Sequence, residues 1–194
     1  MLLLLALLGT AACDRQKAGG QQGEAIAGQS ASEAAEAGAQ TEGVDRSRKG
    51  KLPPDIQFKN PDGGDISLAA FRGLPTVINL WASWCAPCVK ELPTLQKLEE
   101  AQTLDGQLGV IAVSQDMAPK ESVDAFLASK KISQFAAFHD PDMALASGLD
   151  VEVMPTTILF DAEGREVWRY VGDLDWTGPE AAKLLAEAGS GQLP

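Results

Sequence analysis

Residues 76–102 lay down a strand, a cysteine pair and a helix in direct succession. Thr76-Val77-Ile78-Asn79-Leu80-Trp81 is β-rich and apolar on both faces, the pattern of a strand in the middle of a sheet covered on both sides. Cys85-Ala86-Pro87-Cys88 comes next, and a helical pattern then runs to about Gln102, with a kink expected at Pro93. A buried strand that feeds a helix calls for an α/β architecture.

The remainder of residues 51–194 keeps the alternation. Strand patterns fall at 56–59, before the Pro61-Asp62-Gly63-Gly64 turn, at 108–113 and, shorter, at 135–138. Helical patterns fall at 119–130, where Val123, Phe126 and Leu127 share a face, at 143–147, ended by Gly148, and at 178–188, with Pro179 in the first turn. Strands at 156–160 and 165–171 flank the tight turn Asp161-Ala162-Glu163-Gly164. Alternating strands and helices closed by a hairpin predict a central mixed β-sheet with helices on both faces.

Two cysteines separated by two residues serve as half of a zinc site, a haem attachment or a redox dithiol. Haem attachment wants His directly after the second Cys, where this chain has Val89. Structural zinc wants four ligands, and only His139 and the distant Cys13 remain. The redox reading has support from position: the pair follows a buried strand and opens a helix, whose N-terminal amides and dipole stabilise a thiolate. Cys85, the N-terminal member, is expected to attack a partner's disulfide, and Cys88, one turn further in, to resolve the mixed disulfide. An inert buried pair or a static disulfide is the alternative. His139, the only histidine, precedes Asp140-Pro141 and reads as a loop or turn residue rather than a ligand.

The run Asn79-Leu80-Trp81-Ala82-Ser83-Trp84-Cys85-Ala86-Pro87-Cys88, followed by Glu91-Leu92-Pro93, resembles the TlpA/ResA branch of the thioredoxin superfamily. Met154-Pro155-Thr156-Thr157, 67 residues beyond Cys88 at Pro155, matches that superfamily's cis-proline loop. Similarity continues through residues 160–166 and 172–181, and covers about residues 51–190 in all. The resemblance implies a thioredoxin fold, with Cys85 as attacking and Cys88 as resolving cysteine. Pro155 becomes the cis-proline that abuts the pair and lets the preceding backbone receive a substrate strand. Trp84 becomes part of a docking surface, with a packed aromatic as the alternative. Glu91 matches the acid that ResA-like proteins place near the resolving cysteine. At i+3 from Cys88 it lies on the same helix face and could exchange that thiol's proton; an acid favouring the dipole of a first helical turn is the other reading. Asn79 stands where thioredoxin has a buried Asp, as TlpA-like proteins commonly do.

The first fifty residues read as an address and a tether. Residues 2–8 are Leu-Leu-Leu-Leu-Ala-Leu-Leu, too short a run to span a bilayer as a helix, and Gly9-Thr10-Ala11-Ala12 lead to Cys13. Small residues directly before a cysteine resemble the lipobox of bacterial lipoproteins, which makes 1–12 a signal and Cys13 a lipid-bearing residue. No Lys or Arg stands between Met1 and the apolar run, and Thr10 occupies a position where Leu is preferred; an ordinary cleaved signal with an incidental cysteine is the alternative. Asp14 resembles a pattern that keeps lipoproteins at the inner membrane. Residues 14–50 hold seven glycines and no aromatic residue, too little apolar surface to offset ordering entropy. Residues 13–50 are therefore expected to be a flexible linker, with a reach of roughly 30–35 Å, and 51–194 the thioredoxin-like domain.

Net charge is −11, and residues 51–194 carry 21 acids against 11 bases. Such a surface disfavours nucleic acid and anionic lipid. Together these readings predict a monomeric, lipid-anchored thiol:disulfide oxidoreductase on the periplasmic side of the inner membrane, with no cofactor beyond its own cysteine pair. The resemblance implies disulfide-bearing partners, apocytochrome c or copper-site assembly proteins, and a membrane electron donor of the DsbD/CcdA type. A reductant is favoured, although dithiols of this spacing span about −270 to −120 mV, roughly 7 kcal/mol. A copper(I) metallochaperone using Cys85 and Cys88, with or without His139, is the rival from another class.

Overall fold

All six residues of Thr76–Trp81 are buried, and the strand they form is the spine on which the rest is arranged. The computed structural model describes residues 40–132 and 137–190. In chain order the strands are β1 (Gly43–Asp45), β2 (Gln57–Lys59), β3 (Asp65–Ser67), β4 (Thr76–Trp81), β5 (Gly109–Ser114), β6 (Ala137–His139), β7 (Thr156–Phe160) and β8 (Glu166–Val171). The helices are α1 (Ala86–Asp105), α2 (Lys120–Ser129), α3 (Ala144–Gly148) and α4 (Pro179–Leu185), with 3-10 turns at Leu68–Phe71 and Ala186–Ser190.

One mixed sheet joins the strands in the order β1-β8-β7-β4-β5-β6-β2-β3. β4, β5 and β6 run parallel, while β7, β8, β1, β2 and β3 pair antiparallel with their neighbours. The pleat alternates side chains between two cores. Val77, Trp81, Ala112 and Leu159 pack with Leu92 and Leu95 of α1, Val123 and Leu127 of α2, and Ala181 and Leu184 of α4. Ile78, Leu80, Ile111, Val113, Ile158 and Phe160 pack with Leu68 and with Leu145 and Ala146 of α3. Helices thus cover both faces, as a thioredoxin fold requires.

Because β4, β5 and β6 are parallel, their C-terminal ends lie along one edge of the sheet, where ligand sites of such sheets form. That edge carries the Trp81-to-Cys85 connection, the segment after Ser114, and His139. The last residue of β6 is His139 itself, paired in register with Ser114 and buried. The loop or turn expected for it is therefore incorrect, because the strand extends one residue past the apolar Phe138.

The folded unit also begins earlier than residue 51. Within the stretch expected to be linker, Gly43, Val44 and Asp45 pair with Val171, Tyr170 and Arg169, Gly50 N–H donates to Glu166 O, and Glu166 N–H to Lys51 O. Backbone pairing needs no apolar side chains, which is why a polar segment joins the sheet edge. The approach is close: a Cβ on Gly172, at φ +103°, would lie 2.9 Å from Glu42 Cγ. α1 runs through Pro93 as a single helix. The signal at 1–12, Cys13 and the linker up to residue 39 lie outside the described residues, as do residues 135 and 136 of the strand expected at 135–138.

Candidate active site

Cys85 is the N-cap of α1, and its Sγ accepts a hydrogen bond from Cys88 N–H at 3.3 Å. Pro87, which has no N–H to offer, sits in the first turn, where none is needed. The two sulfurs are joined as a disulfide, S–S 2.03 Å, so the oxidised form is the one described. Cys85 is 6% exposed and Cys88 0%; an approaching molecule meets Cys85 first. The Met154–Pro155 peptide is cis, and Met154 O lies 3.5 Å from Cys85 Sγ. The Met154–Pro155 loop, 69 residues further along the chain at Met154, thus lies against Cys85.

Trp84 is 64% exposed, which removes the packed-aromatic alternative. Val153, on the cis-proline loop, and Met117, after β5, are also exposed apolar side chains.

Glu91 is buried, 2% exposed, in the second turn of α1; the first turn contains no acid. The dipole reading for Glu91 therefore fails. Its carboxylate is held by three donors: Asn79 Nδ2 at 2.7 Å on Oε1, and Leu174 N at 3.0 Å and Trp176 Nε1 at 3.1 Å on Oε2. Burial pushes its pKa up to about 7, against the lowering effect of those hydrogen bonds, with nearby Asp173 adding to the rise. A carboxyl in this state can hold or release a proton near neutrality. Asn79 also donates to Thr157 Oγ1 at 2.9 Å, which ties β4, β7, α1 and the segment after β8 into one polar network.

A second polar cluster, which sequence reasoning missed, lies at the same edge. Asp116 accepts from Ser83 and Ser114, and His139 Nε2 lies 2.8 Å from Asp116 O. The signal that could have found it is the run Ser114-Gln115-Asp116, polar residues at the C-terminal end of a buried strand parallel to the one that leads to Cys85. His139 is thus engaged with the backbone of Asp116. Among the described residues no group of three or more His, Cys, Asp or Glu side chains is arranged to hold a metal ion.

A cysteine pair at the start of a helix, apposed to a cis-proline loop on a mixed sheet, defines a thioredoxin-fold thiol–disulfide oxidoreductase. The chain belongs to the redoxin family, whose sequence profile matches residues 48–185, and its relatives place it with the TlpA/ResA-like members. It is 32% identical over 124 residues to the thioredoxin-like protein YneN of Bacillus subtilis, covering 60% of this chain and 68% of that one. It is 29% identical over 119 residues to the thiol-disulfide oxidoreductase ResA of the same organism, covering 61% and 65%. The chain therefore spans about two thirds of the length of these relatives. Among solved structures, StoA of B. subtilis superposes with TM-score 0.56 at 26% identity, over 71% of this chain and 98% of that one. A DsbF homologue of Corynebacterium diphtheriae, at 23% identity, shares the fold with TM-score 0.63 over 78% and 95%.

Proposed function

We propose that the protein reduces disulfides in exported proteins through Cys85 and Cys88. In the reduced form the Cys85 thiolate attacks one sulfur of the partner's disulfide; a mixed disulfide forms and the partner's other sulfur leaves as thiolate. Cys88, once deprotonated, attacks Cys85 Sγ, forms the Cys85–Cys88 disulfide and releases the second partner sulfur. Two electrons pass to the partner, which ends with two thiols after taking up two protons. The observation that carries this reading is Cys85 Sγ at the N-cap of α1, accepting from Cys88 N–H and facing Met154 O at 3.5 Å. Helix N-terminal amides favour the thiolate in both the attacking and the leaving role.

Glu91 supplies proton capacity near neutrality on the helix that carries both cysteines. Its i+3 relation to Cys88 suits it to hold the proton that the resolving thiol gives up. Met154, whose peptide bond to Pro155 is cis, offers its backbone to an extended partner strand, and Trp84 offers an apolar face beside the sulfurs.

In this reading the chain is anchored at Cys13, the linker keeps the domain close to the membrane, and a membrane dithiol donor of the DsbD/CcdA class restores the reduced pair. The substrates are cysteine pairs of apocytochrome c or of copper-site assembly proteins; the relative named thiol-disulfide oxidoreductase ResA supports the exchange chemistry.

Trapping tests this directly. Full-length protein carrying Cys88→Ser, expressed in its native host, is expected to accumulate mixed disulfides on Cys85 with exported dithiol proteins. Recovery of apocytochrome or of oxidase copper-site proteins selects the pathway. Tight copper(I) retention that requires both cysteines, without disulfide reductase activity, would instead establish the metallochaperone reading.

A further inference from the structure

Asp116 lies two residues beyond β5 and is only 4% exposed, with both carboxylate oxygens occupied. Oδ1 accepts from Ser83 Oγ at 2.6 Å; Oδ2 accepts from Ser83 N–H at 2.9 Å and from Ser114 Oγ at 2.7 Å. Three donors thus converge on one carboxylate, a demand that an acceptor-only group meets and an amide does not. His139 Nε2 lies 2.8 Å from the Asp116 carbonyl. The ends of β5 and β6 are therefore bound to the loop that follows β4.

That loop, residues 82–85, buries Ala82 and Cys85 in the core, and between them Ser83 is its polar anchor, bound to Asp116 through both its amide and its hydroxyl. Trp84 projects into solvent, and within the loop Cys85 N–H donates to Ala82 O at 3.1 Å. Cys88 is fixed by α1, whereas Cys85 is the helix's cap and takes its position partly from Ser83, two residues before it.

We propose that Asp116 is a positioning residue for Cys85. By fixing Ser83 it holds the Cys85 sulfur against Cys88 and raises the effective concentration of one thiol toward the other. The equilibrium for closing an intramolecular disulfide follows that effective concentration, because the ordering has been done by the fold beforehand. A stiffer loop favours the disulfide and makes the pair the stronger reductant. None of the catalytic roles given above to Cys85, Cys88, Glu91 or Pro155 depends on this assignment.

The test is the equilibrium of the oxidised and reduced full-length protein with glutathione, measured for Asp116→Asn, Ser83→Ala and the double variant. Asp116→Asn is expected to lower the equilibrium constant for disulfide formation three- to tenfold, a potential about 15–30 mV less negative. Ser83→Ala, which leaves the charge in place, is expected to shift it in the same direction by a smaller factor. The double variant is expected to match Asp116→Asn within about twofold, as two members of one contact do. Leu68→Ala, a stability control in the separate core cluster that does not include the cysteine pair, should lower the urea midpoint and leave the constant unchanged.

A constant unchanged in both single variants, despite a lowered urea midpoint, overturns the proposal. So does a shift in Asp116→Asn with none in Ser83→Ala, which marks a charge effect, or an equal shift in Leu68→Ala, which marks general loosening. If Asp116→Asn does not fold, Asp116→Glu, which keeps the charge and displaces it by one methylene, takes its place with the same expected direction.

Discussion

Asn79 Nδ2 donates to Glu91 Oε1 at 2.7 Å and so joins the central strand to the cysteine-bearing helix. The bond stands in a dry setting, since both residues are buried. Each charge state of Glu91 therefore has consequences for stability as well as for catalysis.

Burial raises the Glu91 pKa from 4.5 to about 7, so between those values the folded chain binds a proton that the unfolded chain does not. The contribution is fully present below pH 4.5, is lost as pH rises through 7, and is flat above. It amounts to as much as about 1.4 kcal/mol per pH unit and on the order of 3 kcal/mol in total. Urea unfolding of the oxidised protein from pH 4 to 8 should show wild type losing stability relative to Glu91→Gln across this window. Parallel curves for the two proteins would contradict the assignment.

Trp176 Nε1 is one of the donors that restrain this rise. Trp176→Phe removes the donor and should move the Glu91 transition above pH 7, at a stability cost of about 1–3 kcal/mol for the lost charge-assisted bond at high pH. The same pH series reads it. An unmoved or lowered transition would show that the indole does not stabilise the carboxylate.

Arg169 and Glu166 form a buried pair on β8, with Nε to Oε1 at 2.7 Å and Nη2 to Oε2 at 2.8 Å, and Arg169 Nη1 also donates to Leu149 O at 2.9 Å. Arg169→Leu leaves Glu166 buried, with Arg48 Nε at 3.7 Å as its remaining cation. The expected loss is about 3–5 kcal/mol by denaturant unfolding, and a second change, Glu166→Leu, should recover a large part of it. No recovery in the double variant would mean that the Leu149 contact, rather than the stranded charge, dominates.

Trp84 touches the fold little, so Trp84→Ala should change stability by no more than about 0.5 kcal/mol. Its effect should appear in turnover: several-fold slower reduction of a protein disulfide, with reduction of glutathione disulfide near the wild-type rate. An equal loss on both would assign Trp84 to the reactivity of Cys85 rather than to docking.

What could be read in the sequence was local. The β4 run, the cysteine pair and the Met154-Pro155 loop each declare themselves within a few residues, and the structure brings them together as expected. Strand β1 escaped because its pairing with Val171, Tyr170 and Arg169 is made by backbone, which composition does not register. The buried setting of Glu91 was not legible because its partners Leu174 and Trp176 lie more than eighty residues away. Asp116 was missed for the same reason, its link to Ser83 spanning 33 residues. Polar clusters of this kind are specified by topology, and only the parallel alignment of β4, β5 and β6 reveals which strand ends will meet.

The central claim is that Cys85 attacks and Cys88 resolves, and reaction of purified, reduced, full-length Cys88→Ser with a protein disulfide tests it most directly. Peptide mass spectrometry of the trapped product should place the partner on Cys85, in an adduct that wild type does not accumulate because Cys88 releases it. No adduct at Cys85, or an equally abundant one in wild type, would contradict the account.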